Sequence, residues 1–392
     1  MNNYFSLTKE QQQKVLQAAE NKIGLPGQAI EKDIWVTTIL QIVFTMSCAE
    51  HLIFKGGTSI SKVWNLIKRF SEDIDLAIDP VVFEITGDIT KKKIKKLRKA
   101  SSVYVRDTFY PELQQAIEDH GLADLCSVEV EPDGEGDGTY PEPRKVWIKY
   151  DSVYPSELDY LKPVVMLEIS ARSLMEPCTV TKVKSMVENN YPNIQTTLVD
   201  SDITTANAEK TFLEKAFLIH EMFSVEGHGR KADRKSRHLY DLSEMMKHGI
   251  DDKAIKNDDL WESIRRHREI YTSVSGMDYT PDIRAKFMSE TVIRTEYLIP
   301  LIEWHIASEH NWNITTNKYG RLFKKYLNQE MWAKTEQTFS GSDIKENWTA
   351  LFSMTDLVSE IGTELSKKLE YKYPDKLEND IRKYLAGLKP KT

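Results

Sequence analysis

The sequence predicts an α+β protein, with a sheet-bearing lobe over residues 1–205 followed by a mainly helical lobe over residues 206–392 that contributes to a cleft. Three observations carry this expectation. A strand, a tight turn, a helix and a second strand read in succession between His51 and Asp79. Period-two alternation returns between Ser127 and Arg172, and from Ala208 onward the pattern is mostly helical.

The central stretch reads HLIFKGGTSISKVWNLIKRFSEDIDLAID. The apolar run His51 to Phe54 feeds the turn Gly56-Gly57-Thr58-Ser59, which opens a helix. In the strand that follows, residues two apart share a face. Asp73, Asp75 and Asp79 therefore point one way, while Ile74, Leu76 and Ile78 point to the core. Acids lined up on one strand face repel one another, and a hard cation such as Mg²⁺, bound by carboxylate oxygens and substrate phosphates, offsets that repulsion. A glycine turn at a helix N-terminus favours a phosphate. Taken apart, the two elements are also compatible with a solvated edge strand and an ordinary turn; one helix joining them at this spacing makes a nucleotide site the sharper reading.

Upstream, Thr8 to Lys22 reads as an amphipathic helix, broken at Leu25-Pro26-Gly27, and Ile30 to Met46 as a largely buried one. Glu31-Lys32-Asp33 sits at the start of the second helix, where acids complement the dipole.

Downstream, Lys91 to Lys99 opens a helix running to about His120. Its charge run fits a solvated face or contact with an RNA phosphate backbone. Strands at Ser127–Val130 and Lys145–Tyr150 are joined by the hairpin tip Glu131 to Pro143, whose alternating acids lack a calcium loop's closing Glu. In Val164 to Arg172, Val165, Leu167 and Ile169 form one face, and Met166, Glu168, Ser170 and Arg172 the other.

Asn207 caps a helix over Ala208–Phe223, in which Lys215 interrupts the stripe Ala208, Phe212, Ile219, Met222. The lysine either snorkels to water or aims its charge at a triphosphate. A basic loop, Gly227 to Lys235, precedes a helix beginning Ser236-Arg237-His238-Leu239-Tyr240-Asp241-Leu242. There Leu239, Leu242 and Met246 are expected to pack inward, while Arg234, His238, Asp241 and Met245 share a different stripe, on which Asp241 either simply pairs with Arg234, Arg237 or His238 or serves as an acid of the site. Beyond it helices are expected at Trp261–Tyr271, Ile283–Ile306 and Leu357–Leu369.

The 392 residues are 40% hydrophobic and 29% charged, as in a globular protein, and the formal net charge of −7 excludes a general nucleic-acid coat. Cys48, Cys126 and Cys178 follow no disulfide or zinc pattern. No run approaches the ~18 apolar residues of a membrane span, and no leader is evident, so a cytoplasmic location is expected.

Gly56-Gly57-Thr58-Ser59 followed by Arg69-Phe70-Ser71-Glu72-Asp73-Ile74-Asp75-Leu76 resembles the AbiEii/AbiGii nucleotidyltransferase toxins, which include the MenT-type toxins and belong to the DNA polymerase β-like superfamily. The resemblance continues through Thr211-Phe212-Leu213-Glu214-Lys215 with His220, and through the basic-RH-YDL segment, where His238 stands in place of the Asp of other members. It implies a mixed sheet flanked by helices. It also implies Asp73, Asp75 and Glu168 as ligands of Mg²⁺, two ions in number, with Mn²⁺ as substitute. Gly56, Gly57, Thr58, Ser59, Arg69, Ser71, Arg237 and His238 would bind nucleotide, Lys215 would act in both binding and catalysis, and Asp241 would be an active-site acid.

The reaction so implied is NMP transfer from an NTP to an RNA acceptor, the tRNA 3′ end in MenT-like relatives. A cognate antitoxin and a place in a toxin–antitoxin or phage-defence system follow from the same resemblance. NMP transfer or phosphotransfer to a protein, and a non-catalytic nucleotide- or RNA-binding module, stay open as alternatives.

Overall fold

The computed structural model describes residues 3–280 apart from 68–70, 72, 86–89, 135–139, 155–160, 225–235, 273, 275–276 and 278, and the backbone alone at 220, 222–224, 236–237 and 239. Arg69, the side chains of His220 and Arg237, and the helices expected after residue 280 lie outside the described residues.

The chain divides into two compact units. One comprises Met1–Glu214 with Glu244–Val274, the other Lys215–Ser243 with Ser275–Thr392.

The first unit is built on a seven-stranded mixed sheet in the order β3-β4-β5-β2-β1-β7-β6. Its strands are β1 (Leu52–Lys55), β2 (Asp73–Ile78), β3 (Cys126–Val130), β4 (Arg144–Tyr150), β5 (Val164–Ser170), β6 (Cys178–Thr181) and β7 (Ile203–Ala206). β2 runs parallel to β5 and β1 parallel to β7, and the remaining pairs are antiparallel. The α+β expectation for this part holds.

One face of the sheet is core. Ile74, Leu76 and Ile78 of β2 join Val165, Leu167 and Ile169 of β5 and Val146 and Ile148 of β4 in a single buried cluster. Helix α2 (Gly27–Val43) supplies Trp35, Val36, Ile39, Leu40 and Val43 to it. Helices α4 (Lys91–Tyr104) and α5 (Tyr110–Asp119) add Leu97, Leu113 and Ile117. Between them a widened π turn spans Val105–Phe109, followed after Tyr110 by Pro111, which has no N–H to continue an α-helical ladder. The expected long helix is thus one helical stretch with a π turn inside it.

Helix α1 (Lys9–Ile23) opens on a capping box between Thr8 and Gln11 and stops at Gly24, whose φ is +75°. α2 begins earlier than the sequence suggested, directly after Pro26, and this moves Glu31, Lys32 and Asp33 past the first turn into the interior. The dipole explanation is therefore wrong; each is a buried polar group with partners. Glu31 accepts from Ser152 Oγ at 2.5 Å and Val153 N at 2.9 Å, and Lys32 donates to the Lys162 carbonyl at 3.1 Å. Asp33 pairs with Lys62 and accepts from Met186 N at 2.6 Å. Burial on this scale demands such satisfaction.

The remaining described helices are α3 (Gly56–Lys62), α6 (Met186–Asn190), α7 (Ala208–Ser224), α8 (Ser236–Lys247), α9 (Ile250–Lys256) and α10 (Asp258–His267). None of the described helices is long and apolar enough to cross a membrane.

Candidate nucleotide and metal site

The Gly-Gly-Thr-Ser segment is itself the first turn of α3, not a loop ahead of it. Gly56 adopts φ +82°, and a Cβ built there would lie 1.9 Å from Asp75 Oδ2. Only glycine both tolerates that backbone and admits the carboxylate. Thr58 Oγ1 donates to the Asp73 carbonyl and lies 2.9 Å from Ser71 Oγ, while Ser59 Oγ donates to the Gly56 carbonyl at 2.9 Å. The Thr58 hydroxyl ties the turn to β2 and the Ser59 hydroxyl closes on the turn's own backbone; Thr58 is 1% and Ser59 0% exposed, while Gly56 is half-buried. Lys62, at the other end of α3, is held by Asp33 and by Thr37 Oγ1 at 2.7 Å. The buried acid of α2 thereby fixes the helix that carries the turn.

Strand register assembles the charged residues. Lys55 of β1 lies opposite Asp75 of β2, Asp75 opposite Glu168 of β5, and Glu168 opposite Lys145 of β4. Opposed residues share a face, so these four form one row across four strands, with signs plus, minus, minus, plus. Asp73 lies one pleat along the same face, opposite Met166, which in turn faces Trp147. The face turns apolar at its other end, where Ile53, Ala77 and Ala206 cluster. Asp79, expected in the carboxylate row, is instead past the strand end; it caps the short helix Pro80–Phe83 by accepting from Val81 N at 2.9 Å.

The donor set suits a hard divalent cation, since Asp73, Asp75 and Glu168 offer only carboxylate oxygens from one sheet face. They are not gathered into a finished centre: no three described His, Cys, Asp or Glu side chains group as a metal site. Glu168 Oε1 is 3.3 Å from Lys145 Nζ, an internal cation in the place where a metal would compete.

In the second unit, Lys215 is 8% exposed and its Nζ lies 3.0 Å from Asp241 Oδ2, with Asp241 fully buried. The same ammonium donates to His238 Nδ1 at 3.3 Å, which leaves the ring proton on Nε2. Three sequence-selected residues thus meet, and Lys215 does not snorkel. On α8, Asp241 and Met245 of one stripe are buried as well as Leu242 of the other.

Sequence reasoning missed Lys55, Lys145 and Lys210. Lys55 was hidden because the apolar run was ended at Phe54; one more step of the alternation puts it on Asp75's face. Lys210, five positions before Lys215, is fully buried and donates to the Leu174 carbonyl. Burial lowers its pKa, opposed by Glu214 and helped by Lys55. In the hairpin, Asp133 pairs with Arg144 and Arg106, and Glu131 accepts from Lys145 N at 3.0 Å, so these acids serve the hairpin's own structure and not calcium.

Residues 282–388 match the family model described as streptomycin adenylyltransferase. Two aminoglycoside 6-adenylyltransferases are similar, from Bacillus subtilis (strain 168) at 32% identity over 91 residues and from Campylobacter jejuni at 24% over 93 residues. Each alignment covers 23% of this chain and 32% of the relative, so the chain spans about a third of the length of the curated relatives it matches. Among solved structures, MenT4, a nucleotidyltransferase toxin from Mycobacterium tuberculosis H37Rv, aligns at 17% identity and TM-score 0.41 over 70% of this chain and 76% of that one. The family-model match falls on a stretch where the sequence pattern offers only expected helices, whose periodicity does not distinguish one function from another. The chain is similar, over that C-terminal stretch, to nucleotide-transferring enzymes.

Proposed function

We propose that this protein is a divalent-metal-dependent nucleotidyltransferase that moves NMP from an NTP to an RNA acceptor, the tRNA 3′ end, and acts as a toxin restrained by a cognate antitoxin. The observation that carries the enzymatic part is the register of Asp75 opposite Glu168, with Gly56 leaving room for the Asp75 carboxylate. The acceptor and the antitoxin rest on the motif resemblance at Gly56–Ser59, Asp73–Leu76 and the YDL segment.

In this reading Asp73, Asp75 and Glu168 hold Mg²⁺ or Mn²⁺, two ions in all. When bound, the metal supplies positive charge at the phosphate oxygens. Lys55 and Lys145 flank the carboxylates and limit their mutual repulsion before nucleotide arrives. Gly56 and Gly57 let the backbone approach the triphosphate, and Arg69, Ser71, Arg237 and His238 contribute to its binding. Lys215, held by Asp241 and His238, offers its ammonium to the charge that develops on pyrophosphate. An acceptor hydroxyl attacks the α-phosphorus and gives up its proton to solvent, the new P–O bond forms as the α–β bridge breaks, and pyrophosphate leaves with that electron pair. No covalent bond to the protein is needed.

A second reading, favoured by the family-model match at residues 282–388 and by the names of the curated relatives, keeps the chemistry and replaces RNA with a small hydroxyl-bearing aminoglycoside. Incubation with each α-³²P NTP, Mg²⁺ and either total tRNA, streptomycin or a protein extract separates the acceptors. Label on tRNA alone supports the RNA reading. Label on streptomycin or on protein replaces it, and nucleotide binding without transfer to anything supports a sensor.

A further inference from the structure

Helix α4 carries Lys91, Lys92, Lys93, Lys95, Lys96, Arg98 and Lys99 and no acidic residue, in a chain whose net charge is −7. Ile94 and Leu97 are buried, whereas Lys91, Lys92, Lys95, Lys96, Arg98 and Lys99 are exposed. At 3.6 residues per turn those six fall within an arc of about 160°, along a ridge about 12 Å long. No described carboxylate lies within ion-pairing distance of Lys91, Lys92, Lys95 or Lys96; Arg98 is 3.7 Å from Glu142, and Lys99 sits 5.9 Å over the Tyr140 ring. Like charges at Lys91/Lys95, Lys92/Lys96 and Lys95/Lys99 each oppose the helix, as do lysines at its positive N-terminal end. Nothing within the described fold compensates those four lysines.

We propose that this face of α4 docks the phosphate backbone of the RNA acceptor. The inference rests on the RNA reading above and assigns it a surface. The ridge offers charge without an exposed apolar residue, so it lacks the apolar centre that a folded protein partner requires. A membrane-surface helix needs its apolar stripe free, and here Ile94 and Leu97 are taken up by the protein's own core. The ridge is also wired to the carboxylate row. Arg98 approaches Glu142, whose Oε1 accepts from Ser170 Oγ at 2.6 Å, and Ser170 lies two residues beyond Glu168 on the same face of β5. RNA held on α4 would therefore be anchored beside the strand that carries Glu168.

The test uses the full chain and total tRNA, with affinity followed by anisotropy across NaCl concentration. One variant carries Lys92→Gln, Lys95→Gln, Lys96→Gln and Lys99→Gln; a charge-matched control carries Lys14→Gln, Lys149→Gln, Lys253→Gln and Lys256→Gln. The ridge variant should bind tRNA at least tenfold more weakly, with a log K against log[salt] slope shallower by about 3, while the control stays within about twofold. NTP binding should be unchanged in both. Equal losses in ridge variant and control, unchanged tRNA affinity in the ridge variant, absence of tRNA binding by the wild type, or equal ridge-dependent binding to phosphatidylserine vesicles would each overturn the proposal. The two readings fail separately. Ridge-dependent tRNA binding without label transfer supports docking and sinks the transferase; label transfer to tRNA with an unchanged KM in the ridge variant sinks docking alone.

Discussion

Gly56 and Asp75 interlock: the space a Cβ would take at residue 56 is filled by the Asp75 carboxylate, whose Oδ2 lies 1.9 Å from that position. Gly56→Ala forces the carboxylate to move and places a side chain at φ +82°. The expected outcome is loss of about 1–2 kcal/mol in stability by urea unfolding and at least a hundredfold loss in NMP transfer. A substitution that lowers stability alone would remove Asp75 from the chemistry.

Lys215 and Asp241 form a buried pair at 3.0 Å. Asp241→Asn strands the ammonium and should destabilise by about 3–5 kcal/mol, and the pair of changes Lys215→Met with Asp241→Leu should recover much of that. If the pair serves catalysis, the double variant folds but transfers no label. An active double variant would make the pair purely structural.

Glu168 is held by Lys145 at 3.3 Å, with both side chains about a third exposed. Lys145→Gln removes the internal competitor, so Mn²⁺ binding followed by electron paramagnetic resonance should tighten severalfold. Unchanged or weaker Mn²⁺ binding would show that Lys145 does not compete for Glu168.

His267 stacks on Tyr271 at 4.3 Å, and its Nε2 is covered and has no hydrogen-bond partner among the described residues, although the residue as a whole is only half-buried. Burial lowers its pKa from 6.5 to about 4, against an opposing pull from Glu214. A depressed folded pKa means that the unfolded chain binds the proton more readily. Its contribution is therefore complete above about pH 6.5 and is lost as pH falls towards 4, at most about 3 kcal/mol. His267→Phe should flatten that part of the stability profile; an unaltered profile would assign acid sensitivity elsewhere.

Much of the sheet and one side of the site were legible in the sequence because strand alternation reports faces directly. Ile74, Leu76 and Ile78 against Asp73 and Asp75, and Val165, Leu167 and Ile169 against Glu168, fall where period two puts them. What alternation cannot report is register between strands, and so the ion pair of Glu168 with Lys145 and the position of Asp75 opposite Lys55 were invisible. Glu31, Lys32 and Asp33 misled for a different reason: composition places such residues at a helix end, but long-range partners at Ser152, Lys162 and Lys62 allow all three to be buried. The meeting of Lys215 with Asp241 was foreshadowed only by motif resemblance, since the residues are 26 positions apart and share no local pattern.

In the proposed function, the row containing Asp75 and Glu168 transfers the α-phosphoryl portion of an NTP. Parallel reactions with α-³²P and γ-³²P NTP, Mg²⁺ and total tRNA test it most directly, using the wild type beside Asp75→Asn and Glu168→Gln. The expected result is α-label on tRNA and γ-label in free pyrophosphate for the wild type, with both lost at least a hundredfold in each variant. Transfer of γ-label to an acceptor, or full α-transfer by Asp75→Asn, would contradict it.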